Sequence, residues 1–445
     1  MTIATSLPKA NLTIRFAPHS DPTSQQETYQ LLELPSEILK RVESSSSSSP
    51  FPFVPLLNPS RASSGTPTSM IPLLTWTRLT IKGRPSDDAV LCTTDSTFLL
   101  RTVSISNSLV ILRVPPSTFT STSTSTSASA SSSTSASTSP PTENFRPTLE
   151  IRDVCHEVLE CVPQAANLER IRTVLRPTEW QGLGKRTRND EVGGVKSRKW
   201  TRAQLESVVQ ASQVELEQGL RERNVVRFDG KMLMLPPKEL APLLGLMLTL
   251  LTIHAISSTI DMVEVPLRPM IRALEDDHDV PIELAKAVMN LFGEVDTGAQ
   301  MWRADVGRMV AEVGRGLLAN LSSQGRSMDS FMSEWREQVG ETWEGSIDLK
   351  LLEGDYLLDV PLSTTSTHLG PTIVPFPAHT LPLHPATRFA DLFLTRPRWR
   401  PDEMLPFLKG LTRDGDAQER DKLVAKFVRV VKEKQGVWWY PRRTS

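Results

Sequence analysis

From Ser117 to Pro140 the chain is almost entirely serine, threonine and alanine, with Phe119 its only aromatic residue. Such a run cannot bury enough apolar surface to offset the entropy of ordering it, so no core can pass through it. It predicts a disordered tether, residues 117–145, dividing a strand-rich region 1–116 from a helix-rich remainder. A glycosylated stalk would share this composition but needs a secretory route. The N-terminus MTIATSLPKANLTIRF carries Lys9 and no long apolar run, so no signal peptide is expected. With 445 residues the chain exceeds what one core usually serves, and several small cores are expected.

Before the tether, β-branched and aromatic runs are bounded by Pro, Gly, Asp and Ser. Asn11–Phe16, Thr28–Glu33, Trp76–Lys82, Ala89–Thr93, Thr97–Thr102 and Ser108–Val114 read as short strands, with a helix opening at Pro35 and Ser36. Six serines at Ser44–Ser49 and the Pro-rich stretch to Pro72 mark an insertion at about 43–72. Six strands can close into a small barrel, or stay open and take strands from a partner chain. The residues alone leave both readings standing.

After the tether, apolar spacing predicts helices over Leu149–Cys161 and Asn167–Leu175. Thr201 starts a helix to about Val209, Ser212 with Glu215 three residues on opens another to about Arg223, and VVRF-DG-KMLML is a hairpin turning at Asp229-Gly230. Helix, turn, helix and hairpin is the order of a winged helix. It partly recurs in Pro266–Leu274, Pro281–Phe292 and Asp305–Leu321, and again in Pro401–Leu411, Asp416–Lys432 and the strand Gly436–Tyr440. Three modules are expected, at 146–236, 237–325 and 326–445. Leu240–Ile260 has no Asp, Glu, Lys or Arg, but Pro242, Gly245 and several hydroxyls fit a buried core helix better than a membrane span.

No catalytic constellation emerges. The histidines lack metal-binding spacing, Glu275–Asp279 lacks the glycine and terminal glutamate of a calcium loop, and Gly182, Gly184 and Lys185 do not complete a phosphate loop. Cys92, Cys155 and Cys161 make no Cys-x-x-Cys pair and read as reduced structural thiols of an intracellular protein. No enzyme activity, cofactor or metal is expected.

A net charge of -1 confines any nucleic-acid contact to local patches. Lys185, Arg186 and Arg188 with Lys196, Arg198 and Lys199 have the spacing of a nuclear import signal, or of a solvated loop. Near the C-terminus Arg396, Arg398 and Arg400 alternate with Pro397, Trp399 and Pro401, and Arg442 and Arg443 follow Trp438, Trp439 and Tyr440. Arginines beside aromatics suit phosphate contact with base stacking, so these five arginines are the candidate DNA-binding residues; core tryptophans are the competing reading.

Residues KGRPSDDAVLCT (Lys82–Thr93), RTVSISNS (Arg101–Ser108), NLERIRTVLRPTEW (Asn167–Trp180), RWRPDEMLPFLKGL (Arg398–Leu411) and ERDKLVAKFVRVVKEKQGVWW (Glu419–Trp439) resemble, in order, the sister chromatid cohesion subunit family of the alternative replication-factor-C-like clamp loader. The resemblance implies an α+β chain whose N-terminal β-barrel part is completed by partner chains and is followed by tandem winged-helix modules. It implies a nuclear, non-catalytic subunit that joins the loader's large subunit and second small accessory subunit. That subunit docks on the catalytic subunit of the leading-strand DNA polymerase, acts on the sliding clamp indirectly, touches DNA, and supports replication and cohesion. The rival from residue pattern alone is a winged-helix transcription regulator binding DNA through Ser212–Arg223.

Overall fold

Asp229 and Gly230 both take left-handed backbone angles, φ 47° and 68°, which turns the hairpin in two residues and matches the twist of its strands. The expected caps form beside it. Thr201 and Ser212 each accept the N–H three residues on, from Gln204 and Glu215, whose side chains accept the cap's own N–H in return. The computed structural model describes residues 13–16, 29–45, 79–113, 148–183, 199–255, 257–258, 262–359, 370–413, 415–434 and 436–442. The Ser/Thr run, the insertion after Ser45 and most of the basic loop before Trp200 lie outside them.

The fold is mixed α+β with several sheets and, among the described residues, no closed barrel. The chain divides into two units, residues 1–47 with 100–162, and residues 48–99 with 163–445. In chain order the first elements are β1 (Thr13–Phe16), β2 (Leu31–Glu33), α1 (Ser36–Ser45), β3 (Thr80–Lys82), β4 (Val90–Cys92), β5 (Thr97–Arg113) and β6 (Thr148–Pro163). Within the first unit β6 pairs with the body of β5 on one side and, in parallel, with β1 and β2. Within the second, β3 pairs with β4, and β4 pairs with Thr97–Leu99.

Two expectations fail here. Leu149–Cys161 is strand, not helix. Ile151, Val154, Val158 and Cys161 satisfy a helical period, but pairing with β5 decides the conformation and buries Cys155 and Cys161. The Ser/Thr run therefore joins two neighbouring strands of one unit and is not a link between a strand set and helical modules. Conversely, residues 80–99, expected on the far side of that tether, belong to the same unit as the helices.

The second unit continues with α2 (Glu169–Leu175), α3 (Arg202–Val208), α4 (Gln213–Glu222), β7 (Val225–Phe228), β8 (Lys231–Met234), α5 (Pro237–His254), β9 (Ser257–Ser258), β10 (Met262–Pro266), α6 (Leu267–Asp276), α7 (Ile282–Leu291), β11 (Gly293–Asp296), β12 (Met301–Asp305) and α8 (Val306–Asn320). It ends with β13 (Arg326–Ser327), α9 (Met328–Val339), β14 (Tyr356–Asp359), β15 (Thr372–Pro375), α10 (Pro385–Thr395), α11 (Pro401–Met404), α12 (Ala417–Phe427), β16 (Val428–Glu433) and β17 (Gly436–Pro441). The predicted helix Asp416–Lys432 stops at Phe427, because Val428, Val430 and Val431 pair with Pro441, Trp439 and Trp438 of β17.

One order recurs four times among these elements: a helix, a short extended piece, one or two further helical segments, and a hairpin. Each time the extended piece pairs with the second hairpin strand. Trp200 accepts from Met232 N–H of β8, β10 pairs with β12, β13 with β15, and Trp399 bridges Trp439 of β17. The first repeat packs a core around Leu205, Leu216 and Leu220, and the fourth one around Phe389, Trp399 and Phe407. The second and third share a single core in which α5 lies against α8. That is where Leu240–Leu251 goes, and among the described residues no helix is long and apolar enough to cross a membrane.

Candidate nucleic-acid interface

The fourth repeat ends in a sheet of Trp399, β17 and β16. Trp399 and Trp439 exchange backbone hydrogen bonds of 3.0 and 2.8 Å, and both indoles turn into the core. Side chains alternate across a strand, so Arg398 and Arg400 emerge on the other face with Trp438 and Tyr440. The Arg398 guanidinium carbon stands 4.3 Å from the Trp438 ring centroid and that of Arg400 5.4 Å. Arg429, opposite Tyr440 in the register, lies 5.8 Å from its ring. The result is a half-exposed indole between guanidiniums, a surface able to stack a planar group while its rim holds phosphate.

Glu433 moderates that charge. It accepts from Tyr440 Oη at 2.7 Å and pairs with Arg398 at 3.3 Å. The Tyr440 side-chain hydrogen bond, with smaller help from Glu433, holds the Arg398 guanidinium above even its ordinary value, so its charge is permanent. Trp438 Nε1 is buried without a partner, the only such indole nitrogen among the described residues.

The alternating arginines do not act together. Arg396, at the end of α10, turns to the core side, stacks over Trp399 at 5.3 Å, pairs with Glu403 at 3.5 Å and donates to Leu358 O. Arg442 donates to Ala425 O at 2.7 Å and its N–H to Phe427 O at 2.8 Å, tying β17 to the end of α12. Arg443 lies outside the described residues. Arg398 and Arg400 therefore remain, joined by Arg429, which sequence spacing missed because it sat in a presumed helix. The hairpin register would have revealed it.

Glu275 and Asp276 close α6 at the surface, and among the described residues no three His, Cys, Asp or Glu side chains are grouped to hold a metal ion. All three cysteines are free and buried; burial, then Glu160 and Glu33, pushes the Cys161 thiol up to about 11, and burial raises Cys92 as well. Thiolate chemistry is suppressed at both.

No curated protein sequence matches the chain. A family does: the sequence profile described as Sister chromatid cohesion protein Dcc1 matches residues 29–408, which reaches into both units but leaves out β1 and, in the fourth repeat, α12 and the β16–β17 hairpin. The chain therefore belongs to the sister chromatid cohesion protein Dcc1 family, and its role lies in sister chromatid cohesion and the cell cycle, in complex with cohesion-related factors.

Proposed function

We propose that the chain is a non-catalytic nuclear subunit of an alternative replication-factor-C-like clamp loader, linking it to the leading-strand DNA polymerase and to DNA in support of clamp loading or unloading. The observation that carries this is the unfinished state of the first unit. Along β5, Val103, Leu109, Val110 and Leu112 are 36 to 47% exposed. Leu109 and Val110 are sequence neighbours on opposite faces, so within the described chain neither face of this end has a covering layer. Strands from the loader's large subunit and second small accessory subunit would cover both faces, as the composite β-barrel of this family requires. The four repeats are then winged helices, four in place of the three expected, and Arg398, Arg400, Arg429 and Trp438 of the last are the DNA-facing group.

Capture of the tagged full chain from nuclear extract with mass spectrometry tests this. Clamp-loader subunits and a replicative polymerase should dominate, and Val110→Asp with Leu112→Asp should release them while the second unit stays folded. Their absence from the wild-type capture overturns the proposal.

A further inference from the structure

In a winged helix bound to DNA, the turn between the two middle helices and the N-terminus of the second lie against the duplex. The equivalent turn of the first repeat, Val209–Ser212 between α3 and α4, is closed: these four residues are 0 to 8% exposed. What closes it is the chain's own hairpin of β3, β4 and the start of β5. Lys82 Nζ donates to Ala211 O at 2.7 Å, and Gln210 Nε2 to Asp88 O at 2.6 Å. Val214 N–H donates to Thr94 O at 3.1 Å and Ser212 N–H to Thr97 Oγ1 at 3.0 Å. A flanking ion pair, Arg170 to Asp87 at 2.6 Å, fastens the same hairpin to α2.

We propose that the helix-turn-helix of the first repeat is a protein-docking site, filled by the chain's own residues 79–99, that takes no nucleic acid. Three of the donors this helix N-terminus would offer to phosphate are consumed: the N–H groups of Ser212, Val214 and Glu215 all have protein acceptors. Glu215 places a carboxylate where a phosphate would come, and it already accepts from Thr97 Oγ1 at 2.6 Å. The exposed face of α4 brings no compensating charge, with Glu217 and Glu222 against Arg221. An extended hairpin rich in carbonyls and hydroxyls fits this mouth; a polyanion does not. The comparison with DNA-bound winged helices rests on the reading proposed above, but the docking rests on the contacts alone.

Hydrogen exchange on the full chain separates the two. Amides of 211–216 and 90–98 should both be protected, and Thr97→Val with Gln210→Ala should accelerate both stretches together by about tenfold while the α5 and α8 amides keep their rates. Thr97→Ser should exchange like wild type. Unchanged protection of 211–216 when 90–98 opens would overturn the docking. In a second arm, a photo-crosslinker at Gln213 or Gln218, both exposed, is mixed with labelled single-stranded and duplex oligonucleotides. No adduct is expected at either position, and an adduct at either overturns the proposal even if the hairpin variant fails to fold. A failed capture of clamp-loader subunits would leave both readouts untouched.

Discussion

Thr97 Oγ1 donates to Glu215 Oε2 at 2.6 Å across 118 residues of sequence. The same hydroxyl accepts Ser212 N–H at 3.0 Å, and Glu215 accepts that N–H at 2.9 Å, so the start of β5 is built into the capping box of α4. Thr97→Val keeps the shape and removes both bonds, one of them to a charged group. A loss of about 1–3 kcal/mol is expected in urea unfolding. In a double-mutant cycle with Glu215→Gln the two losses should fall short of additive, and strict additivity would show that the contact contributes nothing.

A second long-range pair ties the first repeat to α8. Asn224 sits at φ 51° and is 2% exposed, and its Nδ2 donates to Glu312 Oε2 at 2.8 Å; Arg315 pairs with the other oxygen. Glu312 is itself buried, so Asn224→Ala leaves one carboxylate oxygen without its donor and forces a left-handed backbone on alanine. The melting temperature should fall more for this change than for Asn224→Gly, which removes only the bond. Equal losses would mean that the backbone angle costs nothing.

Close approach of α5 and α8 depends on Gly316. A Cβ there would come within 2.4 Å of Ala241 Cβ and 2.6 Å of Pro237 O. Gly316→Ala should cost about 1–3 kcal/mol or more by overpacking, even though alanine is the better helix former. Gly345→Ala, which meets nothing within 4 Å, serves as the control and should be silent in the same denaturation assay.

Asp87 gives the docked hairpin a pH signature. The Arg170 hydrogen bond, chiefly, holds its carboxyl below the ordinary value, with help from the Arg84 N–H. A depressed folded value means that the unfolded chain binds the proton more readily. The stabilisation is therefore full above the ordinary carboxylate value and is lost as pH falls through the folded one. Wild type should be more stable than Asp87→Asn at neutral pH, and the gap should begin to close as pH falls below about 4 and vanish only below the depressed folded value. A gap that does not narrow at all on acidification below about pH 4 would assign the effect to something other than this charge.

Local chemistry made much of the second unit legible: two capping boxes, an Asp-Gly hairpin, and helices from Leu267 to Asn320 where expected. What sequence spacing missed was decided at long range. Residues 148–163 fit two periods at once, and β5, across the Ser/Thr run, selects the extended one. Val428–Glu433 continued a helical pattern until Trp438 and Trp439 claimed it for a sheet. The alternating arginines were sorted by what each could reach. Arg396 found Glu403 and a core-side carbonyl, whereas Arg398 and Arg400 found the face of an indole, with Glu433 beside Arg398.

That sorting gives the candidate interface a test that spacing alone would not. If Arg398, Arg400 and Trp438 meet a single strand, Arg398→Ala with Arg400→Ala removes two phosphate contacts. The slope of log K against log salt should then shrink by about 1.4, at roughly 0.7 per contact. Trp438→Ala should weaken binding by about 1–3 kcal/mol with the slope intact, because stacking releases no counterions. Arg396→Ala should act oppositely, lowering stability through its lost ties to Glu403 and Leu358 while the folded fraction binds as wild type. Fluorescence anisotropy with a labelled oligonucleotide over a salt series reads all three, and an unchanged slope in the double variant would remove this face from the list of nucleic-acid contacts.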